Sequence, residues 1–125
     1  MNPTLLLAVA AGGFVGAPSR FLLDRLVNRR VDSELPWGTF LINITGSFLL
    51  GLLTGLVITH RLGPVPRALL STGFCGAYTT FSTFTYETLG LYEEGELLQA
   101  ALNVGISVII GLMAATAGLA VGLIA

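Results

Sequence analysis

Long apolar stretches, separated by short polar segments, divide the chain into four predicted membrane spans. A helix needs about 20 mainly apolar residues to cross the hydrocarbon core of a bilayer. Four stretches meet this requirement, at about residues 4–26, 37–59, 68–87 and 97–124. Because the intervening segments are short, neighbouring helices are expected to run antiparallel. The pattern therefore predicts an all-α membrane protein in which residues 1–125 form a single four-helix transmembrane domain.

The third apolar stretch contains a segment that disfavours a continuous helix. Gly73 and Gly76 weaken the helix, because glycine gains the most backbone freedom wherever helical structure is lost. Four hydroxyl side chains follow within about two turns: Thr79, Thr80, Ser82 and Thr83. A backbone that breaks in mid-membrane must line a cavity or be buried in protein, and its freed carbonyls and half-helix ends can hold ions. We therefore expect the third helix to be broken mid-membrane and to form the functional centre.

Polar side chains also mark one face of the second and fourth predicted helices. Asn43, Ser47 and Thr54 fall at i, i+4 and i+11, and Asn103 and Ser107 are four residues apart. An asparagine inside a membrane needs hydrogen-bond partners, which either helix–helix contacts or a hydrated polar track can supply. The two hydroxyls on the face of Asn43 favour the track.

Two phenylalanines and one arginine add features that suit an anion. Phe81 and Phe84 are three residues apart and lie on one side of their helix. They either pack against neighbours or present ring edges, which carry the positive end of the aromatic quadrupole. Arg20 lies about two turns inside the first span, where it either snorkels to the interface or attracts an anion into a vestibule. Ring edges and amide N–H groups suit an anion better than a cation.

Composition supports the membrane assignment and excludes several classes of function. The chain is 54% hydrophobic and 10% charged, whereas soluble proteins average about 25% charged residues. Its net charge of −1 gives no indication of nucleic-acid binding, and one cysteine and one histidine cannot form a metal cluster within one chain. No span has a carboxylate near its middle, which proton-coupled transporters normally require. No catalytic set can be assembled, so passive conduction is favoured over pumping or catalysis.

Small residues recur every fourth position in three spans. The pairs and triplet are Gly12 and Gly16, Gly51 and Gly55, and Ala114, Gly118 and Gly122. Such faces let helices approach closely in lipid, either within a chain or between chains. Their number favours an oligomer.

The arginines are spread almost evenly over the two sides of the predicted four-helix domain. Arg61 and Arg67 lie on the side of the chain ends, and Arg25, Arg29 and Arg30 lie on the opposite side. The positive-inside rule depends on a difference between the sides, and here that difference is small. Either the chain inserts in both orientations and assembles as an antiparallel pair, or a few charges fix one orientation; the balance favours dual topology.

Three motifs resemble those of the CrcB/Fluc family of fluoride channels. They are GGFVGAPSR at 12–20, GTFLINITGSF at 38–48 and GFCGAYTTFSTF at 73–84. The Thr-Thr-Phe-Ser-Thr-Phe run is the most specific part, and the length and four-span layout are similar over the whole chain. The fourth span resembles the family only in character. The chain departs from the family at Gly76-Ala77, where the family often has Gly-Gly.

The resemblance implies a dual-topology antiparallel homodimer in the cell (inner or plasma) membrane, with two pathways that export fluoride passively and reduce its toxicity. It implies a structural Na⁺ at the dimer centre, held by the backbone carbonyls of Gly76 and Thr79. The pore residues would be Asn43, Ser47, Thr80, Phe81, Thr83, Phe84, Asn103 and Ser107. Arg20 would lie at a vestibule. The partners would be fluoride, a second copy of the chain and the lipid bilayer, with no nucleic acid.

Two other classes of function remain open. One is a four-helix, dual-topology exporter of small molecules, which the lack of a mid-span carboxylate in the first helix disfavours. The other is a non-transporting membrane accessory protein, for which a polar track would have no use.

Overall fold

The computed structural model describes residues 2–125, and helices joined by short turns account for nearly all of them. The elements are α1 (Pro3–Arg30), α2 (Trp37–Ile58), α3 (Pro64–Arg67), a π-helix (Ala68–Cys75), α4 (Gly76–Tyr78), α5 (Ser82–Glu93) and α6 (Leu97–Ile124). No strand occurs between residues 2 and 125.

Three of these helices, α1, α2 and α6, are long and apolar enough to cross a membrane. Large hydrophobic side chains such as Phe14, Ile109 and Leu112 are exposed on their outer surfaces. This distribution suits a protein surrounded by lipid, where apolar side chains need no burial in a protein core. The predicted all-helical membrane architecture is confirmed at this level.

The first helix is longer than the predicted span 4–26. It begins at Pro3, where a missing N–H is tolerated, and the Asn2 side chain accepts a hydrogen bond from the Thr4 N–H at 3.0 Å. It continues to Arg30, with Arg29 and Arg30 in its last turn. Cations are favourable at a helix C-terminus, so these arginines stabilise the extension beyond the apolar stretch.

The predicted third span is made of several shorter elements. From Pro64 to Tyr78 the backbone stays helical, since Arg67 (φ −60°, ψ −48°) and Gly76 (φ −63°, ψ −34°) keep helical dihedrals at both ends of the π-helix. Thr79 is then extended, with ψ 159°, and helix resumes only at Ser82. Helical structure is thus interrupted within the Thr-Thr-Phe part of the sequence.

The small residues at fourfold spacing pack helices together inside the chain. A Cβ at Gly16 would lie 2.5 Å from the Phe74 carbonyl oxygen, and one at Gly73 would lie 2.5 Å from the Val9 carbonyl oxygen. On α2 and α6, the same close backbone approach involves Gly51, Gly55, Gly118 and Gly122. Contacts within one chain therefore account for the glycines on these faces, and the oligomer that their number favoured stays a prediction.

The most deeply buried side chains include one on α2 and one at the end of the π-helix. Ile42 on α2 is 1% exposed and Cys75 at the end of the π-helix is 2% exposed. Cys75 is a free thiol, and its burial is that of a small packing residue.

Candidate functional site

The interruption between α4 and α5 is held by the side-chain amide of Asn43. Asn43 Nδ2 donates to the Thr80 carbonyl at 2.8 Å, and the Thr80 N–H donates to Asn43 Oδ1 at 2.8 Å. In a continuous α-helix the Thr80 N–H would donate to the carbonyl of Gly76, four residues earlier. The amide therefore replaces helical partners that the interruption removes, which satisfies backbone groups that cannot be left unpaired in a membrane.

The hydroxyl of Thr80 caps the N-terminus of α5. Thr80 Oγ1 donates to Thr83 Oγ1 at 3.0 Å and accepts from the Thr83 N–H at 3.2 Å. The first N–H groups of a helix have no helical acceptor, so this bond satisfies one of them. Thr80 is 8% exposed. Its buried hydroxyl is hydrogen-bonded to Thr83.

Thr79 lies at the point where α1 and α2 approach the interruption. Its hydroxyl donates to the Cys75 carbonyl at 2.9 Å, and its own carbonyl accepts from Arg20 Nη1 at 3.3 Å. Its methyl group fills the space beside Gly46, so any Cβ at that position would collide with it. A glycine in α2 is therefore required for the interruption to come this close.

A cleft of about 320 Å³ opens beside the interruption. Its polar and aromatic lining consists of Asn43, Ser47, Thr79, Thr80, Phe81, Phe84 and Ser107. The rings of Phe81 and Phe84 have centroids 6.0 Å apart and planes inclined at 43°. Residues far apart in the sequence, from α2, the interruption, α5 and α6, thus meet around one cleft.

Other residues predicted to belong to the pathway lie outside this cleft. Asn103 is 6% exposed, and its Nδ2 donates to Thr88 Oγ1 at 2.8 Å, which links α6 to α5. Thr54 is exposed and its hydroxyl donates to the Leu50 carbonyl at 2.7 Å. Thr54 lies on the face of Asn43 but about 10 Å beyond Ser47 along the helix, past the end of the cleft.

A family model described as CrcB-like protein, Camphor Resistance (CrcB), matches residues 7–119. The chain belongs to this CrcB-like family. Membership confirms the resemblance carried by the three motifs, all of which lie within the matched range. The matched range also includes every residue that lines the cleft.

Members of the CrcB-like family from several bacteria are similar to the chain over most of its length. A Streptomyces avermitilis protein named Fluoride-specific ion channel FluC 1 is 54% identical over 112 residues, which cover 90% of each chain. A Leifsonia xyli subsp. xyli protein of the same name is 46% identical over 123 residues, covering 98% of this chain and 89% of the relative. An Acidobacterium capsulatum protein named Fluoride-specific ion channel FluC is 44% identical over 115 residues, covering 91% and 92%.

One polar contact of this CrcB-like chain was not predicted from its sequence. Thr39, at the start of α2, is 2% exposed and donates to Glu87 Oε1 on α5 at 2.9 Å. Glu87 Oε2 and Asp24 Oδ1 are buried without a hydrogen-bond partner among the described residues. Gly38 leaves room for the Asp24 side chain, since a Cβ there would collide with Asp24 Oδ1. The small pair Gly38-Thr39 was therefore the sequence feature that could have indicated this contact.

The two residues that the family resemblance assigns to Na⁺ flank α4: Gly76 is its first residue, and Thr79 directly follows its last. The Gly76 carbonyl is not bonded by the Thr80 N–H, because that N–H donates to Asn43. Gly76 is exposed, and a Cβ there would meet nothing within 4 Å. Freed carbonyls at a helix interruption are typical ligands of Na⁺. The Gly76 and Thr79 carbonyl oxygens are of the kind that suits Na⁺, and the Thr79 oxygen also accepts a hydrogen bond from Arg20; the sodium site itself stays a prediction.

Proposed function

We propose that the chain is a channel that exports fluoride passively across the cell membrane. The observation that carries this proposal is the cleft beside the interruption, where amide, hydroxyl and phenyl groups converge. Membership of the CrcB-like family and similarity to proteins named fluoride-specific ion channels supply the permeant. Three membrane-capable helices and this family membership make the chain a multi-pass membrane protein.

In the proposed pathway, the amide, hydroxyl and phenyl groups each present partially positive hydrogens to the anion. The Asn43 amide nitrogen has two N–H groups, of which one is donated to the Thr80 carbonyl and the other can be presented to fluoride. The Thr80 N–H orients the amide by donating to its oxygen. Phenyl edges and the hydroxyls of Ser47 and Ser107 continue the lining. Such sites replace part of the water shell of the ion and bind it only weakly, so that the ion can also leave.

The proposed channel is an antiparallel homodimer in which the interruption lies near the middle of the membrane. Phe81 is 78% exposed on the single chain, and Gly76 is exposed next to the interrupted backbone. Non-helical backbone at this depth cannot face lipid. A second copy, inserted in the opposite orientation as the even arginine distribution suggests, would cover it.

A structural sodium ion completes the proposed dimer. The Gly76 and Thr79 carbonyls of both copies would hold it, and its positive charge would satisfy oxygens that have lost their helical N–H partners. The ion would thus join the two interrupted helices without passing through the pathway.

Fluoride efflux from liposomes tests the channel function. Purified protein in potassium fluoride-loaded vesicles should release fluoride to an external electrode only after valinomycin lets K⁺ carry the balancing charge. Efflux without the ionophore would indicate an exchanger, and efflux no faster than from protein-free vesicles would contradict the proposal. Chloride-loaded vesicles, read with a chloride electrode, provide the matched test of selectivity.

Reporter fusions at the C-terminus test the orientation. Paired reporters active on opposite sides of the membrane should both give signal. Replacing Ser33, in the segment between α1 and α2, by arginine should move the signal toward one side, because the positive-inside rule acts through such small differences. Strictly one-sided signal from the natural chain would contradict dual topology.

A further inference from the structure

The Thr79 carbonyl already has a cationic partner within the chain. Arg20 Nη1 donates to this oxygen at 3.3 Å, from a half-buried position on α1. The carbonyl belongs to the extended residue that directly follows a helical stretch from Pro64 to Tyr78. It therefore lies next to the partial negative charge of a helix C-terminus. This is the same oxygen that the proposed function gives to the sodium ion.

We propose that Arg20 and sodium are alternative partners of the Thr79 carbonyl, so that sodium binding releases the Arg20 side chain. This inference rests on the sodium site of the proposed function. A carbonyl oxygen has two lone pairs, so geometry alone does not forbid both partners. Their charges do oppose each other, because two cations that share one acceptor repel strongly where little water screens them.

The competition has a consequence for the cleft. Thr79 also lines the cleft, so Arg20 contacts a residue that borders the proposed pathway. While it is bound there, part of its charge is neutralised by the end of the helix. Once released, the same charge becomes available to attract an anion. Assembly around sodium would thereby raise the positive potential at the entrance of the pathway.

The test compares the sodium dependence of thermal unfolding in variants that separate charge from hydrogen bonding. Arg20→Gln keeps an N–H donor and removes the positive charge, whereas Arg20→Lys keeps the charge. Arg29→Gln, in the exposed last turn of α1, removes an equal charge far along the same helix. N-methyl-D-glucamine replaces sodium at constant ionic strength.

Arg20→Gln should lower the sodium concentration for half-maximal stabilisation about fivefold or more, as expected for coupled binding. Arg20→Lys and Arg29→Gln should stay close to the natural chain. An unchanged or higher midpoint in Arg20→Gln would overturn the competition while leaving the sodium site in place. If the natural chain itself shows no sodium dependence, the sodium site and the competition both fall, whereas fluoride efflux is judged separately in liposomes.

A measurement on the natural chain covers the case in which Arg20→Gln does not fold. Phenylglyoxal modifies accessible guanidinium groups, and mass spectrometry reports the rate at Arg20. The rate should be several-fold higher in sodium than in N-methyl-D-glucamine, relative to Arg29 in the same sample. Equal rates in the two media would overturn the proposal.

Discussion

The side chain of Asn43 pairs with both backbone groups of Thr80, through two hydrogen bonds of 2.8 Å that join the middle of α2 to the interruption after α4. One residue thereby stabilises the interrupted backbone and orients an amide toward the cleft. In the proposed function, stability and conduction are therefore coupled at this position.

Replacing Asn43 by alanine should lower both stability and fluoride flux. The Thr80 carbonyl and N–H would lose their partners, and a buried polar group left unpaired costs about 1–3 kcal/mol. Thermal unfolding in detergent and fluoride efflux from liposomes measure the two effects. Thr54→Ala is the matched control on α2, since the Thr54 hydroxyl bonds only its own helix. If Asn43→Ala unfolded at the same temperature as this control, the pairing of Asn43 with Thr80 would contribute nothing to stability.

Gly46→Ala should destabilise the chain through a specific collision. The added methyl would meet the Thr79 methyl and come within 3.3 Å of the Tyr78 ring, and overpacking of this kind costs about 1–3 kcal/mol. Gly105→Ala in α6 is the control, because a Cβ there meets nothing within 4 Å and alanine favours helix.

A second substitution can relieve this collision. Thr79→Ser removes the methyl but retains the hydroxyl that bonds the Cys75 carbonyl. The double variant should therefore be more stable than the sum of the single changes predicts, as measured by a double-mutant cycle on unfolding. Strict additivity would show that the strain of Gly46→Ala arises elsewhere.

Phe84→Ile should slow fluoride efflux about tenfold, which corresponds to about 1.4 kcal/mol, while the protein remains folded. Isoleucine fills similar space but has no polarised ring edge. Phe81→Ile, which changes the neighbouring ring, should also slow fluoride efflux. Phe14→Ile on the outer face of α1 serves as the control, since Phe14 is 83% exposed. Unchanged efflux in Phe84→Ile would contradict a role of the ring edge in fluoride conduction.

Thr39→Val should destabilise the chain by about 1–3 kcal/mol, because it leaves the Glu87 Oε1 atom without its donor. Glu87→Gln should be tolerated better, since the amide oxygen still accepts from Thr39 and the nearby negative charge of Asp24 no longer opposes a second one. Thermal unfolding of both variants provides the comparison. Greater loss in Glu87→Gln than in Thr39→Val would show that the carboxylate charge itself is required.

Much of the architecture followed from the hydrophobic pattern alone. The apolar stretch predicted at 97–124 has the bounds of α6, and α2 differs from the stretch at 37–59 by one residue at its end. Lipid selects helices by hydropathy and length, which are local properties that can be read from consecutive residues. The three motifs likewise sufficed to indicate the CrcB-like family, since they are local strings of residues.

The partners of each polar and small residue were decided only by the tertiary structure. Periodicity places Gly12, Gly51 and Asn103 on a helical face, but it does not say which helix that face meets. Gly12 and Gly51 turned out to contact neighbours inside the chain, and Asn103 bonds Thr88. The pairing of Asn43 with Thr80 joins residues 37 positions apart.

Hydropathy and local motifs thus determined that the chain spans a membrane as helices and to which family it belongs. Close packing across the bundle determined which groups meet at the cleft, because an unpaired polar group in lipid must find its partner in space, wherever that partner lies in the sequence.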